Sequence, residues 1–327
     1  MAKYLVTGGA GFIGSNIVEE LVRLKGLSQK SCLRVEGAVP NVDLIRVFDN
    51  FSTGSRKNLA PFMKSIKLVE GDIRDKKALS TALRGIDFVI HQAALRSVAK
   101  SVEDPFATND VNVSGTLNLL MAAKEAKVKR VVYASSSSAY GDVKTFPQKE
   151  TARPVPISPY GVSKLAAENY CITFAKTFGL ETVSLRYFNV FGPRQNPESK
   201  YSAAIPAILV RMLKNECPIA EWDGKQSRDF TYVANVVQAN LRACVVPKIS
   251  GEVFNIACGT TTSILDIIRE ANKVLGLKLK PVYGPKRSGD VRKTYADVSR
   301  MKNILEVKKI VGFEDGLKKT INWFKNK

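Results

Sequence analysis

A short apolar segment at residues 3–7 leads directly into the glycine-rich sequence TGGAGFIG, which opens a segment of helical periodicity at residues 12–24. Glycines at these positions let the backbone turn tightly and approach a phosphate at the N-terminus of the helix. A strand before the turn and a helix after it are the context that a dinucleotide-binding fingerprint requires, although the spacing is GxxGxxG rather than GxGxxG. The predicted cofactor contacts in this turn are Gly8, Gly11, Phe12, Ile13 and Gly14.

Strand-like and helix-like segments alternate through the first half of the chain, which is typical of a parallel, doubly wound sheet. The predicted strands are residues 3–7, 44–48, 66–69, 88–90, 130–134, 182–185 and 253–256. The predicted helices are residues 12–24, 76–83, 111–126, 160–178, 203–213, 233–245, 264–274 and 314–324. Beyond residue 185 the loops become longer and richer in proline and charge.

We therefore expect an α/β fold with two parts. A Rossmann domain is predicted for residues 1–186, with residues 228–258 returning to it. A smaller C-terminal α/β lobe of residues 187–227 and 259–327 would bind the substrate.

The formal net charge of +20 first suggests a nucleic-acid partner. The basic residues are spread along the chain, however, with no arginine-rich tract or zinc-finger spacing, so we expect no nucleic acid and interpret the charge as a lysine-rich surface that attracts anions. No apolar stretch approaches the roughly 18 residues that span a bilayer, and the N-terminal apolar run is too short for a signal peptide. We expect a cytoplasmic protein without a membrane partner.

Five scattered cysteines without CxxC spacing argue against a disulfide framework or a zinc site, and we expect no metal. The single histidine, His91, would have to serve any Ser-His-Asp triad. Its place in the apolar run FVIH favours a structural role at the end of a strand instead.

Asp49 follows the second predicted strand, where a dinucleotide-binding domain places the acid that binds a ribose. The distance from the glycine turn exceeds the usual spacing of about 20 residues, and a polar insertion of unknown purpose at residues 26–41 accounts for the excess. Asp43 is the weaker alternative, because it begins the strand. An acid here favours NAD over NADP. Asp72 and Ile73 would suit the adenine, although Asp72 also fits a helix cap.

Tyr160 and Lys164 indicate a type of reaction. A tyrosine has an unperturbed pKa of roughly 10 and is a poor base at neutral pH. A lysine four residues later lies on the same helix face, and its positive charge favours the phenolate. The pair would then act as a proton-transfer group. The structural alternative is an amphipathic helix with a tyrosine on its rim.

These motifs together resemble the extended short-chain dehydrogenases/reductases of the nucleotide-sugar branch, and most resemble the UDP-N-acetylglucosamine 4-epimerases. Besides the glycine turn and the Tyr/Lys pair, the matching runs are DNFSTG, GDIR, HQAA, the serine run before Tyr140 and LRYFNVFGPR. The resemblance implies NAD as cofactor, a UDP-sugar substrate and a homodimer built from helices near residues 111–126 and 160–178. It implies that the catalytic residues are Ser136, Tyr160 and Lys164, and that further cofactor contacts are Asn50, Gln92, Ala93 and Tyr187.

Ser137 and Ser138 bear on the type of reaction. The related 4,6-dehydratases have an Asp-Glu pair at these positions, and the UDP-glucuronate decarboxylases have a glutamate at the second. A serine hydroxyl cannot perform the acid–base work of a carboxylate. The resemblance therefore implies chemistry at C4 alone, which is epimerisation through a 4-keto intermediate.

On the substrate side, the resemblance implies that Arg228 and Arg287 clamp the diphosphate and that Thr294 leaves room for an N-acetyl group. The substrate-binding residues that the resemblance implies are Ser97, Ser136, Ser137, Ser138, Tyr160, Asn189, Arg228, Arg287, Asp290 and Thr294. The expected function is NAD-dependent 4-epimerisation of a UDP-hexose. UDP-N-acetylglucosamine is the expected substrate in preference to UDP-glucose. The alternatives are a UDP-glucuronate 4-epimerase or decarboxylase, and a non-catalytic NAD- or RNA-binding relative.

Overall fold

The structure, a computed structural model, describes residues 1–30, 41–197, 204–285 and 292–326. Its strands are β1 (Ala2–Thr7), β2 (Val42–Asp49), β3 (Lys67–Glu70), β4 (Phe88–His91), β5 (Arg130–Ser136), β6 (Glu181–Tyr187), β7 (Val190–Phe191), β8 (Ile219–Glu221), β9 (Ser227–Arg228), β10 (Thr231–Tyr232), β11 (Glu252–Ile256), β12 (Thr262–Ser263), β13 (Val282–Gly284) and β14 (Lys293–Thr294).

Its α-helices are α1 (Phe12–Lys30), α2 (Arg56–Leu59), α3 (Lys76–Leu83), α4 (Val98–Glu103), α5 (Pro105–Asn109), α6 (Gly115–Glu125), α7 (Pro159–Thr177), α8 (Ala204–Leu213), α9 (Val233–Val245), α10 (Ile264–Leu275), α11 (Ser299–Asn303) and α12 (Phe313–Lys325). Short 3₁₀ segments lie at Ala60–Ser65 and Ser137–Ala139, and a π-helical turn lies at Asp110–Ser114.

Seven strands form one parallel sheet in the order β11-β6-β5-β4-β1-β2-β3, which confirms the predicted doubly wound α/β fold. Helices α1 and α9 pack on one face of this sheet, and α3, α6 and α7 pack on the other. The strand order reverses between β1 and β4, and ligands of such sheets bind at the carboxyl ends of the strands beside that point.

The remaining short strands make small separate sheets, β10-β7, β12-β9-β14 and β13-β8. Strand β11 pairs with β6 in the large sheet, as expected for a segment that returns to the first domain. The exact division of the chain into a cofactor domain and a substrate lobe stays a prediction.

Two predicted helices have bounds that differ from those of the structure by more than one residue. Helix α1 continues to Lys30, so the first residues of the predicted insertion are helical, and residues 31–40 lie outside the described part. The single helix predicted at residues 111–126 is α6 preceded by the π-helical turn and by α5. Gly115 lies where the π-helical turn meets α6, and a Cβ on this residue would come within 2.7 Å of the Ile73 side chain.

His91 has the structural position that the sequence suggested. It is fully buried at the end of β4, with Nδ1 at 2.7 Å from the Thr7 hydroxyl and Nε2 at 3.0 Å from the Thr116 hydroxyl. Because the Thr116 hydroxyl donates to the Asn112 carbonyl, it accepts from Nε2–H, and the neutral tautomer satisfies both ring nitrogens. Burial lowers the pKa of His91 to about 3.

This burial predicts a pH dependence of stability. Below the unfolded-state pKa of about 6.5 the unfolded chain takes up a proton that the folded chain excludes, so the free energy of unfolding should fall by about 1.4 kcal/mol per pH unit. Urea unfolding between pH 6.5 and 5 measures this. Since His91 is the only histidine, His91→Gln should lack this contribution. An equal slope in the variant would show that other groups cause the dependence.

Candidate active site

The glycine turn brings the chain very close to the start of the loop that follows β4. Gly8 has φ of 65°, and a Cβ on it would lie 2.6 Å from the Ala93 backbone nitrogen. A Cβ on Gly14 would lie 2.2 Å from the Gly8 carbonyl oxygen. Only glycine lets the turn, the helix and the neighbouring strand approach this closely.

A cleft of about 340 Å³ opens at the carboxyl ends of the parallel strands beside this turn. It is lined by Gly8, Gly11, Phe12, Ile13, Gly14, Phe48, Asp49, Asn50, Ser52, Thr53, Gly71, Asp72, Ile73, Arg74, Gln92, Ala93, Ala94, Leu95, Arg96, Ala107, Val111, Ala134, Ser135, Tyr160, Lys164 and Tyr187. All of the cofactor residues proposed from the sequence are therefore in one place.

Asp49 ties the glycine turn to the loop after β2. Its Oδ2 accepts from the Ala10 N–H at 2.9 Å, and its Oδ1 accepts from the Phe51 N–H at 2.8 Å. Burial raises the pKa of this carboxyl, and the two backbone hydrogen bonds oppose that shift. The carboxylate borders the cleft, where binding of a ribose stays a prediction.

Asp72 does not cap a helix, since Asp75 is the N-cap of α3. It pairs with Arg74 at 2.9 Å and accepts from the Asn50 amide at 2.8 Å, and these contacts lower its pKa. Further along the cleft, the Gln92 amide donates to the Tyr187 hydroxyl at 2.9 Å.

Tyr160 lies in the first turn of α7, which begins with a capping Ser158 and a proline at the first helical position. Its half-buried side chain borders the cleft, and Ser136 lies close enough to affect the pKa of its phenol. Burial raises the pKa of the phenol, whereas the Ser136 hydrogen bond and the positive charge of Arg96 lower it. A tyrosine and a serine from two elements thus meet in one site.

Lys164 is buried beside Tyr160 and is tied to β5. Its Nζ donates to the Ala134 carbonyl at 2.9 Å and lies 6.0 Å from the centroid of the Tyr160 ring. Burial lowers the pKa of Lys164 to about 7, and its effect on the Tyr160 phenol stays a prediction. The positive charge of Arg96 also lowers the pKa of the phenol. Sequence reasoning missed this arginine because no spacing rule links it to Tyr160.

Ser136, at the end of β5, is 8% exposed and is not among the residues that line the cleft, and neither are the other three predicted substrate serines. Ser137 and Ser138 form the 3₁₀ turn after β5, where the Ser138 N–H donates to the Ser136 hydroxyl at 3.1 Å. Ser97 is the N-cap of α4 and accepts from the Lys100 N–H. Each of these three is half-buried near the site, and their contact with a substrate stays a prediction.

A second cavity of about 310 Å³ includes the predicted Asn189 and Arg228. Its other lining residues are Val190, Phe191, Ala204, Ile205, Ala207, Ile208, Arg211, Ile219, Glu221, Gln226, Phe230 and Ile264. Most of these residues are apolar and could not be predicted from the sequence, since apolar residues of a cavity and of a core have the same pattern. Thr294 does not line it but pairs with Arg228 between β14 and β9. Arg287 and Asp290 lie outside the described residues.

A sequence model of the NAD dependent epimerase/dehydratase family matches residues 4–257. The chain belongs to this family. A putative UDP-glucose 4-epimerase from Methanocaldococcus jannaschii is 36% identical over 324 residues, covering 98% of each chain. UDP-N-acetylglucosamine 4-epimerase from Methanobrevibacter ruminantium, solved with UDP-N-acetylmuramic acid, has a TM-score of 0.89 at 34% identity and covers 99% of this chain and 98% of its own.

A mutant UDP-glucuronic acid 4-epimerase from Bacillus cereus, solved with NAD and a fluorinated UDP-sugar, has a TM-score of 0.87 at 31% identity, with 99% of each chain covered. Membership of the epimerase/dehydratase family confirms the resemblance, the isomerase class and NAD as cofactor.

The residues present fit that cofactor. The close approach at Gly8 and Gly14 leaves the N-terminus of α1 open to a diphosphate, and Asp49 stands at the end of β2. Among the described residues, no helix is long and apolar enough to cross a membrane, and no group of three potential ligands could hold a metal ion.

Proposed function

We propose that this epimerase/dehydratase-family enzyme catalyses the 4-epimerisation of a UDP-hexose, with UDP-N-acetylglucosamine and UDP-N-acetylgalactosamine as the preferred pair. The observation that carries the proposal is the meeting of Tyr160 with Ser136 beside a cofactor cleft whose described lining residues supply no second acid–base pair. The carboxylates among the described lining residues are Asp49 and Asp72, at the β2 and β3 ends of the cleft. Elimination of water would need a carboxylate near Tyr160, so this arrangement favours epimerisation.

In the proposed reaction, the Tyr160 phenolate takes the proton from O4 of the sugar and later returns it. Ser136 orients O4 by a hydrogen bond, and Lys164 holds α7 against β5. NAD, when bound, would supply reversible hydride transfer at C4 of the sugar. Asn189 and Arg228 retain the diphosphate, around which the 4-keto sugar presents its other face.

The preference for an N-acetylated sugar rests on Thr294. Its small side chain lies beside Arg228 in the pairing of β14 with β9. A bulky residue at this position would reduce the space next to the diphosphate clamp.

Incubation with a panel of UDP-sugars, followed by NMR of the products, tests the proposal. We expect UDP-N-acetylglucosamine and UDP-N-acetylgalactosamine to interconvert fastest. Interconversion of UDP-glucose and UDP-galactose alone would contradict the preference, and no epimerisation of any UDP-sugar would contradict the function.

Arg96 supports UDP-glucuronate as a second candidate substrate. This arginine borders the cleft, its charge acts on Tyr160, and it has no acidic or hydrogen-bonding partner among the described residues. A carboxylate on the sugar could pair with it. In the panel, faster turnover of UDP-glucuronate would favour this candidate, and release of carbon dioxide would separate decarboxylation from epimerisation.

A homodimer is part of the proposal. Val98 and Val102 on α4 are 46% and 64% exposed, Phe106 on α5 is 86% exposed and Val162 on α7 is 52% exposed. These helices pack against one another, so the four side chains belong to one region of the surface. Such apolar surface is typical of an interface between proteins.

Replacing Val102 and Phe106 by glutamate should therefore weaken the dimer. Loss of central interface residues costs about 2 kcal/mol or more, so the dissociation constant should rise roughly 30-fold or more. Sedimentation velocity over a concentration series measures it. Met63→Glu, at a 45% exposed position of another segment, is the control that should leave the dimer intact. A wild-type monomer would contradict the proposal.

A further inference from the structure

A buried ion pair lies behind the reactive groups and has no role in the proposed reaction. Glu168 on α7 is 1% exposed and Arg186 on β6 is 3% exposed. Arg186 Nη2 donates to Glu168 Oε1 at 2.6 Å, and its Nε donates to Oε2 at 3.0 Å. The two bonds form a bidentate contact whose geometry is more closely fixed than that of a single hydrogen bond.

Stability alone does not account for this pair. Removal of two charges from water costs several kcal/mol per ion, and well-packed apolar residues often replace a buried pair with no loss of stability. In addition, Arg186 Nη1 is buried without a hydrogen-bond partner among the described residues. The pair is better explained by what it holds in place.

On the helix, Glu168 lies four residues after Lys164 and eight after Tyr160, so the three side chains share one face of α7. Glu168 Oε2 also accepts from the Ser135 hydroxyl at 2.7 Å. Lys164 donates to the carbonyl of the preceding strand residue, Ala134. Two side chains of α7 therefore form hydrogen bonds with consecutive residues of β5, directly before Ser136.

Arg186 extends these contacts to the other side of Ser136. It pairs with Ser135 in the register of β5 and β6, and its guanidinium lies 4.5 Å from the centroid of the Tyr140 ring. Tyr140, which follows the 3₁₀ turn after Ser136, is fully buried and donates from its hydroxyl to Asn255 Oδ1 at 2.7 Å. The chain is thus held immediately before and shortly after Ser136.

We propose that Glu168 is a positioning residue for the reaction. By binding Ser135 and Arg186 together, it sets the distance and register of α7 against β5, and so brings the Tyr160 and Ser136 hydroxyls to the same sugar oxygen. The role of this geometry in turnover rests on the function proposed above.

The test replaces the whole pair, so that no buried charge is left unpaired. The double variant Glu168→Leu/Arg186→Met keeps the apolar volume and should fold, as shown by circular dichroism and thermal unfolding. We expect it to retain NAD and to keep KM within about threefold, whereas kcat falls roughly 10–100-fold, the size of effect expected for a misplaced reactive group.

The opposite end of the same two strands offers a matched control. Arg130 begins β5 and is 5% exposed, and it pairs with Glu181, which begins β6, at 2.6 Å. The variant Arg130→Met/Glu181→Leu also removes an ion pair between these strands, but far from Ser136. It should keep kcat within about twofold of wild type, since distant independent sites rarely couple.

A second readout does not depend on turnover. Ultraviolet titration of Tyr160, taken as the difference between a protein and its Tyr160→Phe counterpart, reports the apparent pKa of the phenol. Loss of the Ser136 hydrogen bond should raise the pKa of the Tyr160 phenol in the Glu168→Leu/Arg186→Met variant. The pKa should not change in the control variant Arg130→Met/Glu181→Leu. This shift would persist if no UDP-sugar were turned over, which separates failure of this inference from failure of the proposed function.

Three outcomes would overturn the inference. The first is a folded Glu168→Leu/Arg186→Met variant with unchanged kcat and unchanged titration of Tyr160. The second is an equal loss of kcat in the control variant Arg130→Met/Glu181→Leu. The third is a loss of thermal stability in Glu168→Leu/Arg186→Met with no loss of kcat. If the double variant does not fold, Glu168→Gln, which preserves the shape of the side chain, takes its place with the same expected direction in both readouts.

Discussion

Replacing Tyr160 by phenylalanine should lower kcat roughly 10²–10⁴-fold, the contribution expected of a positioned acid–base group. Phenylalanine keeps the ring but has no hydroxyl to exchange a proton with O4. Within the protein, the substitution removes the interaction of the phenol with Ser136. Turnover of the sugar that proves most active in the UDP-sugar panel measures the effect, with thermal unfolding and NAD content measured on the same samples.

Tyr170 provides the control for this substitution. It lies on the same helix, and its side chain is 37% exposed. Tyr170→Phe also removes a hydroxyl from α7 and should leave kcat unchanged. If Tyr160→Phe kept activity within about tenfold of wild type, Tyr160 would not be the proton-transfer group.

Gly14→Ala should cause a comparably large loss at the cofactor. The new Cβ would lie 2.2 Å from the Gly8 carbonyl oxygen and 2.8 Å from the Gly9 Cα, and backbone atoms cannot rotate aside. Such overpacking costs typically 1–3 kcal/mol, and the upper value corresponds to a roughly 100-fold weaker affinity for NAD. Isothermal titration of cofactor-free protein with NAD measures this change.

Gly26→Ala tests whether the effect comes from the turn rather than from helix α1 as a whole. Gly26 lies in the same helix and is exposed, and a Cβ on it would have no neighbouring atom within 4 Å among the described residues. Alanine there should stabilise the helix by up to about 1 kcal/mol and leave the affinity for NAD unchanged. Wild-type affinity in Gly14→Ala would show that the turn tolerates a side chain.

The sheet was predictable because its signals are local. Apolar runs such as FVIH and RVVYA are short, rich in branched residues and followed by turn residues, and they became β4 and β5. The extra length of α1 was not predictable, since the polar sequence after residue 24 has no clear helical face. The pairing of Thr294 with Arg228 was not predictable, because it depends on how β14 and β9 come together, and it places Thr294 outside the residues that line the cavity.

The sequence by itself determined the glycine turn, the doubly wound sheet and the joint presence of Ser136, Tyr160 and Lys164, because backbone freedom, periodicity and helix spacing are properties of neighbouring residues. Only the tertiary structure decided the electrostatics of the site. It buries Lys164, it brings the positive charge of Arg96 to act on Tyr160, and it places Glu168 and Arg186 behind Ser136. Burial and charge depend on residues from other elements, whose distances are set only when the sheet and its helices pack.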